Sequence, residues 1–352
     1  MPGKAMIAMS GGVDSSVAAW LTMQEGFSCI GAMMKLLPGD ESRCCSVDDA
    51  EDARSVAHRL GIPFYMFNFT EYFRKWVMEP FAASYLRGDT PNPCIACNRH
   101  LKFDRLLLRA VTLGCDVLVT GHYARIEKKN GRFLLKTAMD TVRDQTYFLC
   151  SMTQAQLART RFPLGDMYKH DVRALAEQLD LCNARKRDSQ DICFVPDGDY
   201  LRFLEEFTGI PAVPGPLLDL QGREIGQHRG AAGYTLGQRR GLGYAAGERI
   251  YVCGKSMQDN TVTLGPESAL FSGRLYAGDM NWIAFDQLTA SLHVQAKVRS
   301  RQKAQPATAR PGENGELILD FDAPQRAVTP GQTVALYDGE TVLGGGTIRR
   351  TE

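Results

Sequence analysis

Short apolar segments alternate with amphipathic segments through the first two hundred residues of the chain. The apolar segments predict strands at 5–9, 29–34, 63–67 and 116–120. The amphipathic segments predict helices at 15–25, 47–60, 71–86 and 98–113. Regular alternation of this kind predicts an α/β domain with a parallel sheet covered on both faces. Ligands of such sheets bind beyond the carboxyl ends of the strands.

The pattern changes after residue 205. Pro211, Pro214 and Pro216 exclude a continuing helix, and glycine recurs beside turn-forming residues from there to the end. Short alternating segments at 316–321 and 333–337 predict small antiparallel β units. We therefore expect three domains, at residues 1–205, 206–275 and 276–352. The boundary near residue 275 is marked less clearly by the sequence than the one near residue 205.

Composition excludes a membrane protein. The chain has 352 residues, of which 44% are hydrophobic, and no apolar run reaches the roughly 18 residues that span a bilayer. The short apolar stretch that ends at Ser10 has neither the length nor the cleavage pattern of a signal peptide. We expect a cytoplasmic protein without a membrane partner.

Charge gives no overall signal for nucleic acid. The formal net charge is +1, so binding would depend on local clusters, which lie at 185–187, 239–240 and 297–303. Each cluster alone is more typical of a solvated surface. The last one has cations at every second position, which predicts one strand face that meets phosphates, formed by Lys297, Arg299, Arg301 and Lys303.

Ten cysteines are many for a cytoplasmic chain. In a reducing compartment they indicate catalysis or metal binding rather than a disulfide framework. Four of them lie in apolar stretches and are expected to be small core residues, namely Cys29, Cys115, Cys150 and Cys253. Cys44 and Cys45 precede a predicted helix, and we expect an ordinary loop there.

A glycine-containing string, Met9-Ser10-Gly11-Gly12-Val13-Asp14-Ser15-Ser16, lies between a predicted strand and a predicted helix. Its glycines let the backbone approach an anion, and the following amides point positive dipoles at it. We expect the serine hydroxyls to add donors, and Asp14 to hold a magnesium ion or to orient the loop. No Gly-Lys-[Ser/Thr] ending is present, unlike in a γ-phosphate-cleaving P-loop. The alternative is a plain glycine turn with a serine cap, and the complete string favours the anion loop.

Two further cysteines lie beside features that activate a thiol. Cys97 is expected at or just before the first turn of a helix, where the dipole lowers a thiol pKa. The same helix carries Arg99, Lys102 and Arg105, whose charges favour a thiolate. Cys193 follows a basic cluster. Two activated thiols at one sheet edge fit a sulfur relay, and two unrelated cysteines fit the spacing equally well.

The Ser-Gly-Gly-Val-Asp-Ser-Ser string resembles the pyrophosphate loop of the PP-loop ATPases, which adenylate a substrate oxygen. With further segments, such as Gly-His-Tyr and Asp-Gln-Thr-Tyr-Phe-Leu, it resembles the MnmA family of tRNA-specific 2-thiouridylases. The segments that carry the resemblance are 10–16, 90–103, 121–123, 144–149, 188–194, 236–243 and 328–332. They extend in the family's order over nearly the whole chain.

The resemblance implies an α/β fold with three parts. A parallel-sheet PP-loop domain of the adenine nucleotide α-hydrolase-like type would be followed by a small central domain that contacts tRNA and by a C-terminal β-barrel. The implied activity is ATP-dependent 2-thiolation of the wobble uridine in tRNAs for lysine, glutamate and glutamine. The implied partners are tRNA and a persulfide-donating relay protein or cysteine desulfurase.

The resemblance also implies roles for single residues. Cys193 would carry the sulfane sulfur as a persulfide, and Cys97 would attack it. ATP would be held, with Mg²⁺, by Ala8, Met9, Ser10, Gly11, Gly12, Val13, Asp14 and Ser15, and its adenine by Met34 and Gly121. The flipped-out base would contact Asn92, Pro93 and Cys94. Further tRNA contacts would come from His122, Arg143, Asp144, Gln145, Arg299, Ser300 and Gln332.

Position 94 departs from the family, which usually has an aspartate there that is thought to move protons. With cysteine instead, Cys94, Cys97 and Cys193 form a set of three thiolates. Such a set suits a four-iron iron–sulfur cluster with one open position, which is the alternative to a persulfide relay. A structural zinc site is disfavoured because the loop offers no fourth ligand.

Two other functions remain open at this point. A PP-loop ligase for a small molecule would not need Cys97 and Cys193. A non-catalytic RNA-binding or redox protein would not need the intact phosphate loop. For His122, the alternative to an RNA contact is a structural imidazole at the end of a strand.

Overall fold

The computed structural model describes residues 3–38, 47–188, 192–195, 197–244 and 247–352. Cys44 and Cys45 lie outside the described residues, so their loop assignment stays a prediction. Within the described ranges, no helix has the length and apolar character needed to cross a membrane.

The secondary structure follows the alternation expected for the first half and the β-rich pattern expected for the second. The strands are β1 (Lys4–Ala8), β2 (Ser28–Lys35), β3 (Phe64–Asn68), β4 (Val117–Thr120), β5 (Arg125–Lys129), β6 (Arg132–Lys136), β7 (Thr160–Arg161), β8 (Gly215–Leu218), β9 (Glu224–His228), β10 (Tyr251–Ser256), β11 (Thr261–Gly265), β12 (Phe271–Trp282), β13 (Leu292–Lys297), β14 (Gln305–Pro311), β15 (Leu317–Arg326), β16 (Thr333–Asp338) and β17 (Thr341–Thr351). The α-helices are α1 (Val13–Gln24), α2 (Val47–Arg59), α3 (Thr70–Phe73), α4 (Glu79–Leu86), α5 (Pro93–Cys97), α6 (Leu107–Thr112), α7 (Gln154–Ala158), α8 (Lys169–Gln178) and α9 (Tyr200–Thr208). Two π-helical segments, Arg74–Met78 and Asn98–Leu106, join α3 to α4 and α5 to α6.

The N-terminal part is built on a parallel sheet with the strand order β3-β2-β1-β4-β7. Met6 and Leu118 pack in one apolar cluster, and Ile7 and Val119 pack in another. None of these four side chains has any exposed surface, so both faces of the sheet are covered. The four predicted strands are confirmed to within one residue at each end.

The helix predicted over 98–113 begins earlier than expected. It starts at Pro93, where the Asn92 side chain accepts a hydrogen bond of 3.1 Å from the Cys94 amide. It continues through the π-helical segment Asn98–Leu106 into α6. Cys97 therefore lies one turn inside the helix rather than at its start. An asparagine cap followed by proline favours the start of a helix. This preference prevailed over the loop that the neighbouring prolines had suggested.

The central part is a small sheet with the strand order β10-β11-β8-β9. Two antiparallel hairpins, β8–β9 and β10–β11, meet through the parallel pair β8–β11. Leu217, Val252 and Val262 have no exposed surface and form its core. Its glycine-rich connections agree with the change of pattern that the sequence shows after residue 205.

The C-terminal part is a closed barrel of six antiparallel strands in the order β12-β15-β14-β13-β16-β17, completed by the pairing of β12 with β17. The hairpin β5–β6, although far earlier in the chain, extends this sheet because β6 pairs with β17. Leu135 of β6 pairs with Val342 and is fully buried. This hairpin was not predicted from the sequence, although Asn130-Gly131 at its turn is a local hairpin signal. Its pairing with β17 leaves no local pattern, because the two segments are distant in the chain.

The four alternating cations of 297–303 do not share a strand face, so that prediction is wrong. β13 ends at Lys297, whose partner Ala335 is the last residue of the β13–β16 pairing. Arg299 and Arg301 lie in the turn that follows, before β14 begins. A period of two predicts one face only while a strand continues, and here the sheet pairing stops.

The cysteines expected in the core are largely confirmed. Cys29, Cys115 and Cys150 are buried, and Cys253 is half-buried. Burial raises the pKa of Cys29 to about 11 and that of Cys150 to about 12. Neither thiol is therefore a nucleophile near neutral pH.

We expect Leu135→Ala to lower the free energy of unfolding by about 2–5 kcal/mol, because truncation removes buried apolar groups and leaves a cavity under the hairpin. Urea unfolding followed by circular dichroism measures the change. Val142→Ala is the control, since Val142 is 89% exposed and its truncation is expected to stay within about 0.5 kcal/mol. Equal decreases in the free energy of unfolding of the two variants would contradict the burial of Leu135 in this hairpin.

Candidate active site

A cavity of about 430 Å³ opens at the carboxyl ends of β1, β2 and β4. Its described lining includes Ser10 and Asp14 from the loop after β1, and both Cys97 and Cys193. Parallel strands end at one edge of their sheet, so loops that are distant in sequence meet there. The two thiols therefore share one cavity with the phosphate loop, as their expected position at the sheet edge requires.

Two glycines let the loop between β1 and α1 pack closely against its neighbours. Gly11 has a φ of +75°, and a Cβ there would lie 2.3 Å from the carbonyl oxygen of Asp49 in α2. Gly121, which follows β4, comes so close to the loop that a Cβ would lie 2.7 Å from the Ser15 nitrogen. Gly11 therefore allows close contact with α2, and Gly121 allows close contact with the end of β4.

The hydroxyl groups of Ser15 and Ser16 close this turn. They donate to the carbonyl oxygen of Gly12 at 3.0 and 3.1 Å. These contacts lie within the loop, and donation by the serine hydroxyls to an anion stays a prediction. Of the residues expected to hold ATP, those that line the cavity are Ala8, Met9, Ser10, Asp14, Ser15, Met34 and Gly121. The rest lie in the loop behind them, namely Gly11, Gly12 and Val13.

Asp14 is held by a buried lysine. Its two carboxylate oxygens accept hydrogen bonds from the Lys169 Nζ at 2.7 and 2.8 Å, and one also accepts from the Tyr123 hydroxyl at 2.9 Å. Lys169 is the first residue of α8, and 9% of its side chain is exposed. These contacts orient the loop, which is one of the two roles expected for Asp14.

The same lysine also contacts the residue that begins the segment of Cys193. Its Nζ lies 2.8 Å from Asp188 Oδ1, and Arg173 and Arg143 approach the same carboxylate at 3.1 and 3.0 Å. Burial alone would raise the pKa of Asp188. The hydrogen bond from Lys169 and the charges of Lys169, Arg143 and Arg173 outweigh burial and hold that pKa below its ordinary value of 3.8.

The two candidate catalytic thiols reach the cavity from different elements. Cys97 ends α5, whereas Cys193 lies in the segment before α9, and both side chains are half-buried. Phe194, next to Cys193, is buried, and its ring contacts those of Phe73 and Phe81 at centroid distances of 5.6 and 5.1 Å. This aromatic packing anchors the chain beside Cys193.

The three residues expected to contact the base begin α5. Pro93 and Cys94 line the cavity, whereas the Asn92 side chain caps the helix. Cys94 is exposed. Among the residues that the structure describes, no group of three or more Cys, His, Asp or Glu side chains is arranged to hold a metal ion. The arrangement therefore does not favour an iron–sulfur cluster on Cys94, Cys97 and Cys193.

His122 lines the cavity and is fixed within the protein. Its Nδ1 lies 2.7 Å from Thr120 Oγ1, and its ring packs between Phe103 and Phe162. Burial, together with the charge of Lys102, lowers the pKa of His122 well below its ordinary 6.5, so the ring is neutral at physiological pH. The structural role at the strand end is therefore present, and a contact with RNA stays a prediction.

The residues around Gln145 are also engaged. The Gln145 Oε1 accepts a hydrogen bond of 2.9 Å from the Tyr123 amide, and Gln145 lines the cavity. Asp144 has 3% of its side chain exposed and accepts from Thr146 at 2.7 Å. A direct contact of this carboxylate with RNA would require that it leave these partners. Arg143, by contrast, is half-exposed while it pairs with Asp188.

The residues expected to contact tRNA from the C-terminal part bridge the domains. The Arg299 Nη2 donates to the carbonyl oxygens of Leu236 and Ala327 at 3.1 and 2.9 Å. The Gln332 Nε2 donates to the Thr90 carbonyl oxygen at 2.6 Å, just before the residues expected to contact the base. Ser300 lies in the turn after β13. Their roles toward RNA stay predictions, and their structural contacts join the barrel to the other two domains.

Three residues that shape the site had no role assigned from the sequence, although one of them, Tyr123, lies in the Gly-His-Tyr segment. Lys169 and Tyr123 hold Asp14, and the Asn183 Nδ2 donates to the Gly11 carbonyl oxygen and to Ser16 Oγ, both at 2.9 Å. A lysine at the start of an amphipathic helix is typical of a solvated position. Only the packing of α8 against α1 reveals that it is buried.

We expect Lys169→Met to lower the free energy of unfolding by about 3–5 kcal/mol, because Asp14 and Asp188 lose their shared cation while they stay largely buried. Urea unfolding at neutral pH measures the loss. Arg185→Met is the control, since Arg185 is 90% exposed and its pair with Glu177 is expected to contribute at most about 1 kcal/mol.

The free energy of unfolding at acid pH gives a second measurement on the same variant. A carboxyl whose folded pKa lies below 3.8 stabilises the protein above that pH and loses this contribution as pH falls through the folded value. We therefore expect the wild type to lose more stability than Lys169→Met between about pH 5 and pH 2. An equal loss of unfolding free energy in the wild type and in Lys169→Met over this pH range would contradict the pairing of Lys169 with Asp188.

Three family profiles match consecutive parts of the chain. They are described as a tRNA methyl transferase HUP domain over residues 3–197, a tRNA methyl transferase PRC-barrel domain over 202–266 and an aminomethyltransferase beta-barrel domain over 272–348. Together they follow the catalytic, central and barrel parts of the structure.

Full-length relatives are also similar to this chain. The tRNA-specific 2-thiouridylase MnmA of Clostridium acetobutylicum is 44% identical over 99% of this chain and 100% of its own length. The protein of the same name from Heliobacterium modesticaldum is 48% identical over 98% of this chain and 92% of its own. Among solved structures, the U34-tRNA thiolase NcsA of Methanococcus maripaludis with its [4Fe-4S] cluster aligns with 58% of this chain and 66% of that chain, at a TM-score of 0.36 and 20% identity. Because the two thiouridylases match it from end to end, the chain belongs to the tRNA-specific 2-thiouridylase MnmA family.

Proposed function

We propose that this protein uses ATP to convert the wobble uridine of tRNA to 2-thiouridine, in the tRNAs for lysine, glutamate and glutamine. The observation that carries the proposal is that a single cavity is lined by the phosphate loop and by both Cys97 and Cys193. The full-length relatives are named as tRNA-specific 2-thiouridylases, which supports tRNA as the substrate.

The first step is adenylation of the base. The uracil O2 attacks the α-phosphorus of ATP, the bond from that phosphorus to the β-phosphate oxygen breaks, and pyrophosphate leaves with the electron pair. The amides that follow Gly11 and the N-terminus of α1 suit the pyrophosphate, because they present positive dipoles. The target base must leave its stack to reach the cavity, as in other enzymes that act on a base.

A magnesium ion would accompany the phosphates of ATP and neutralise part of their charge. Asp14 is the only carboxylate among the described residues that line the cavity, and both of its oxygens accept hydrogen bonds from Lys169. These residues do not provide a carboxylate for the metal.

The second step replaces the activated oxygen by sulfur. Cys193 receives a sulfane sulfur from a persulfide-donating relay protein or a cysteine desulfurase and holds it as a persulfide. The Cys97 thiolate attacks the inner sulfur, forming a Cys97–Cys193 disulfide and releasing hydrosulfide. Hydrosulfide adds to C2, and AMP leaves with the oxygen and the electron pair. An external thiol then reduces the disulfide with two electrons.

Two alternatives differ in what they require. A cluster on Cys94, Cys97 and Cys193 would need three converging ligands, and the described residues present no such set. A PP-loop ligase for a small molecule would have no use for two cysteines in its cavity. Pyrophosphate release that is stimulated by unmodified tRNA, and not by small carboxylic acids, separates the proposed function from such a ligase.

We expect Cys193→Ser and Cys97→Ser each to abolish thiolation, because an alcohol neither carries sulfane sulfur nor attacks a persulfide. Pyrophosphate release with unmodified tRNA should survive in Cys97→Ser, since the phosphate loop is on another element. Mass spectrometry of digested tRNA measures 2-thiouridine in a single turnover. Cys253→Ser is the control, because Cys253 lies in β10, outside the cavity. Near wild-type thiolation by either variant would exclude the two-cysteine mechanism.

Cys94 separates the persulfide route from the cluster route. In the persulfide route, we expect iron-free enzyme to be active with a persulfide donor, and Cys94→Asp to be tolerated or beneficial. The reason is that carboxylate can accept a proton where the family usually has aspartate. Iron analysis of anaerobically purified protein, paired with the thiolation rate, measures this. Loss of both iron and activity in Cys94→Ala would favour the cluster instead.

A further inference from the structure

The helix that carries Cys97 directs one of its three cations into the cavity. Lys102 lines the cavity together with Cys97. Arg99 is exposed, and the Arg105 guanidinium lies over the Tyr72 ring at 4.8 Å. The three positions were equivalent as sequence signals, and the structure singles out Lys102.

The spacing along the helix explains this placement. Cys94, Asn98, Lys102 and Leu106 line the cavity at intervals of four residues, a spacing that keeps side chains on one side of a helix. Pro93 and Cys97 line the cavity beside this row. Lys102 is therefore the cation that belongs to the side of the helix facing the cavity.

The ammonium group of Lys102 has no anionic partner in the part of the chain that the structure describes. It makes no hydrogen bond and no ion pair there, although it is half-buried. Asp14, the only acidic side chain in the described lining, is already paired with Lys169. A partly buried cation without a counterion is costly, and its charge is strong enough to lower the pKa of His122. The cavity therefore suits an anion beside Lys102.

We propose that Lys102 is a catalytic residue that binds the α-phosphoryl group during thiolation; this inference rests on the proposed function. The phosphate loop provides its dipoles for the pyrophosphate part of ATP. Lys102 shares its helix with Cys97, on the side of the cavity where sulfur must reach C2 of the base. The group that lies between pyrophosphate and the reacting C2 is the α-phosphoryl group, which becomes bonded to O2.

Lys102 would act in both chemical steps. During adenylation, the O2–P bond forms and the bond to pyrophosphate breaks, so negative charge is redistributed over the α-phosphoryl oxygens. During displacement, hydrosulfide forms a bond with C2, the C2–O2 bond breaks, and AMP leaves with the electron pair. An ammonium group in a partly buried cavity stabilises both transition states, because its attraction to developing negative charge is screened less there than in bulk water.

The test uses Lys102→Met, Lys102→Arg and the control Arg99→Met in the full-length protein. We measure single-turnover pyrophosphate release with unmodified tRNA, in a Cys193→Ser background that blocks the sulfur step. Lys102→Met is expected to slow release about 10²–10³-fold, as removal of one transition-state donor does elsewhere. Lys102→Arg should recover part of the rate, and Arg99→Met should match the unsubstituted protein.

Two further readouts separate this role from others. With Cys193 intact, persulfide loading of Cys193 from a small persulfide should be unchanged in Lys102→Met, which also shows that the variant is folded. The rate of Cys97 alkylation against pH should be unchanged as well. Pyrophosphate release at the control rate in Lys102→Met would overturn the proposal. A shift in the pH dependence of Cys97 alkylation, together with normal pyrophosphate release, would also overturn it. That result would mean that Lys102 stabilises the Cys97 thiolate instead. If the wild type forms no 2-thiouridine, the proposed function fails independently of Lys102.

Discussion

The contact on which the site depends is the one between Lys169 and two carboxylates. Its ammonium group binds Asp14 of the phosphate loop and Asp188 at the start of the Cys193 segment, at 2.7–2.8 Å. A lysine that is 9% exposed is tolerated only because two anions surround it. The need to balance the charge of Lys169 therefore fixes the positions of two segments, the loop before α1 and the segment that leads to Cys193.

A second constraint on the site comes from the barrel, which holds the loop before α5 in place. Gln332 binds the Thr90 carbonyl oxygen, and the Thr90 amide in turn donates to the Pro330 carbonyl oxygen at 3.0 Å. The loop that leads into α5, and so to Cys94 and Cys97, is thus held by the third domain. Hairpin β5–β6 also extends the barrel sheet, so the catalytic and C-terminal domains are joined there as well.

The helix from Pro93 to Thr112 supplies much of one wall of the cavity. Cys94, Asn98 and Lys102 follow one another at intervals of four residues and line the cavity, and Cys97 lines it beside them. Two thiols and one ammonium group therefore come from a single element, while Cys193 comes from a different segment that is anchored by Phe194.

The parallel sheet, the glycine-containing loop after β1 and the position of two cysteines at the sheet edge could be predicted from the amino-acid sequence. These features depend on local periodicity, on glycine at positions that require it, and on the rule that parallel strands end at one edge. Three other features emerged with the fold: Lys169 is buried, hairpin β5–β6 belongs to the barrel sheet, and Lys102 rather than Arg99 lines the cavity. Burial and long-range pairing depend on neighbours that are distant in the chain, and a local pattern carries no record of them.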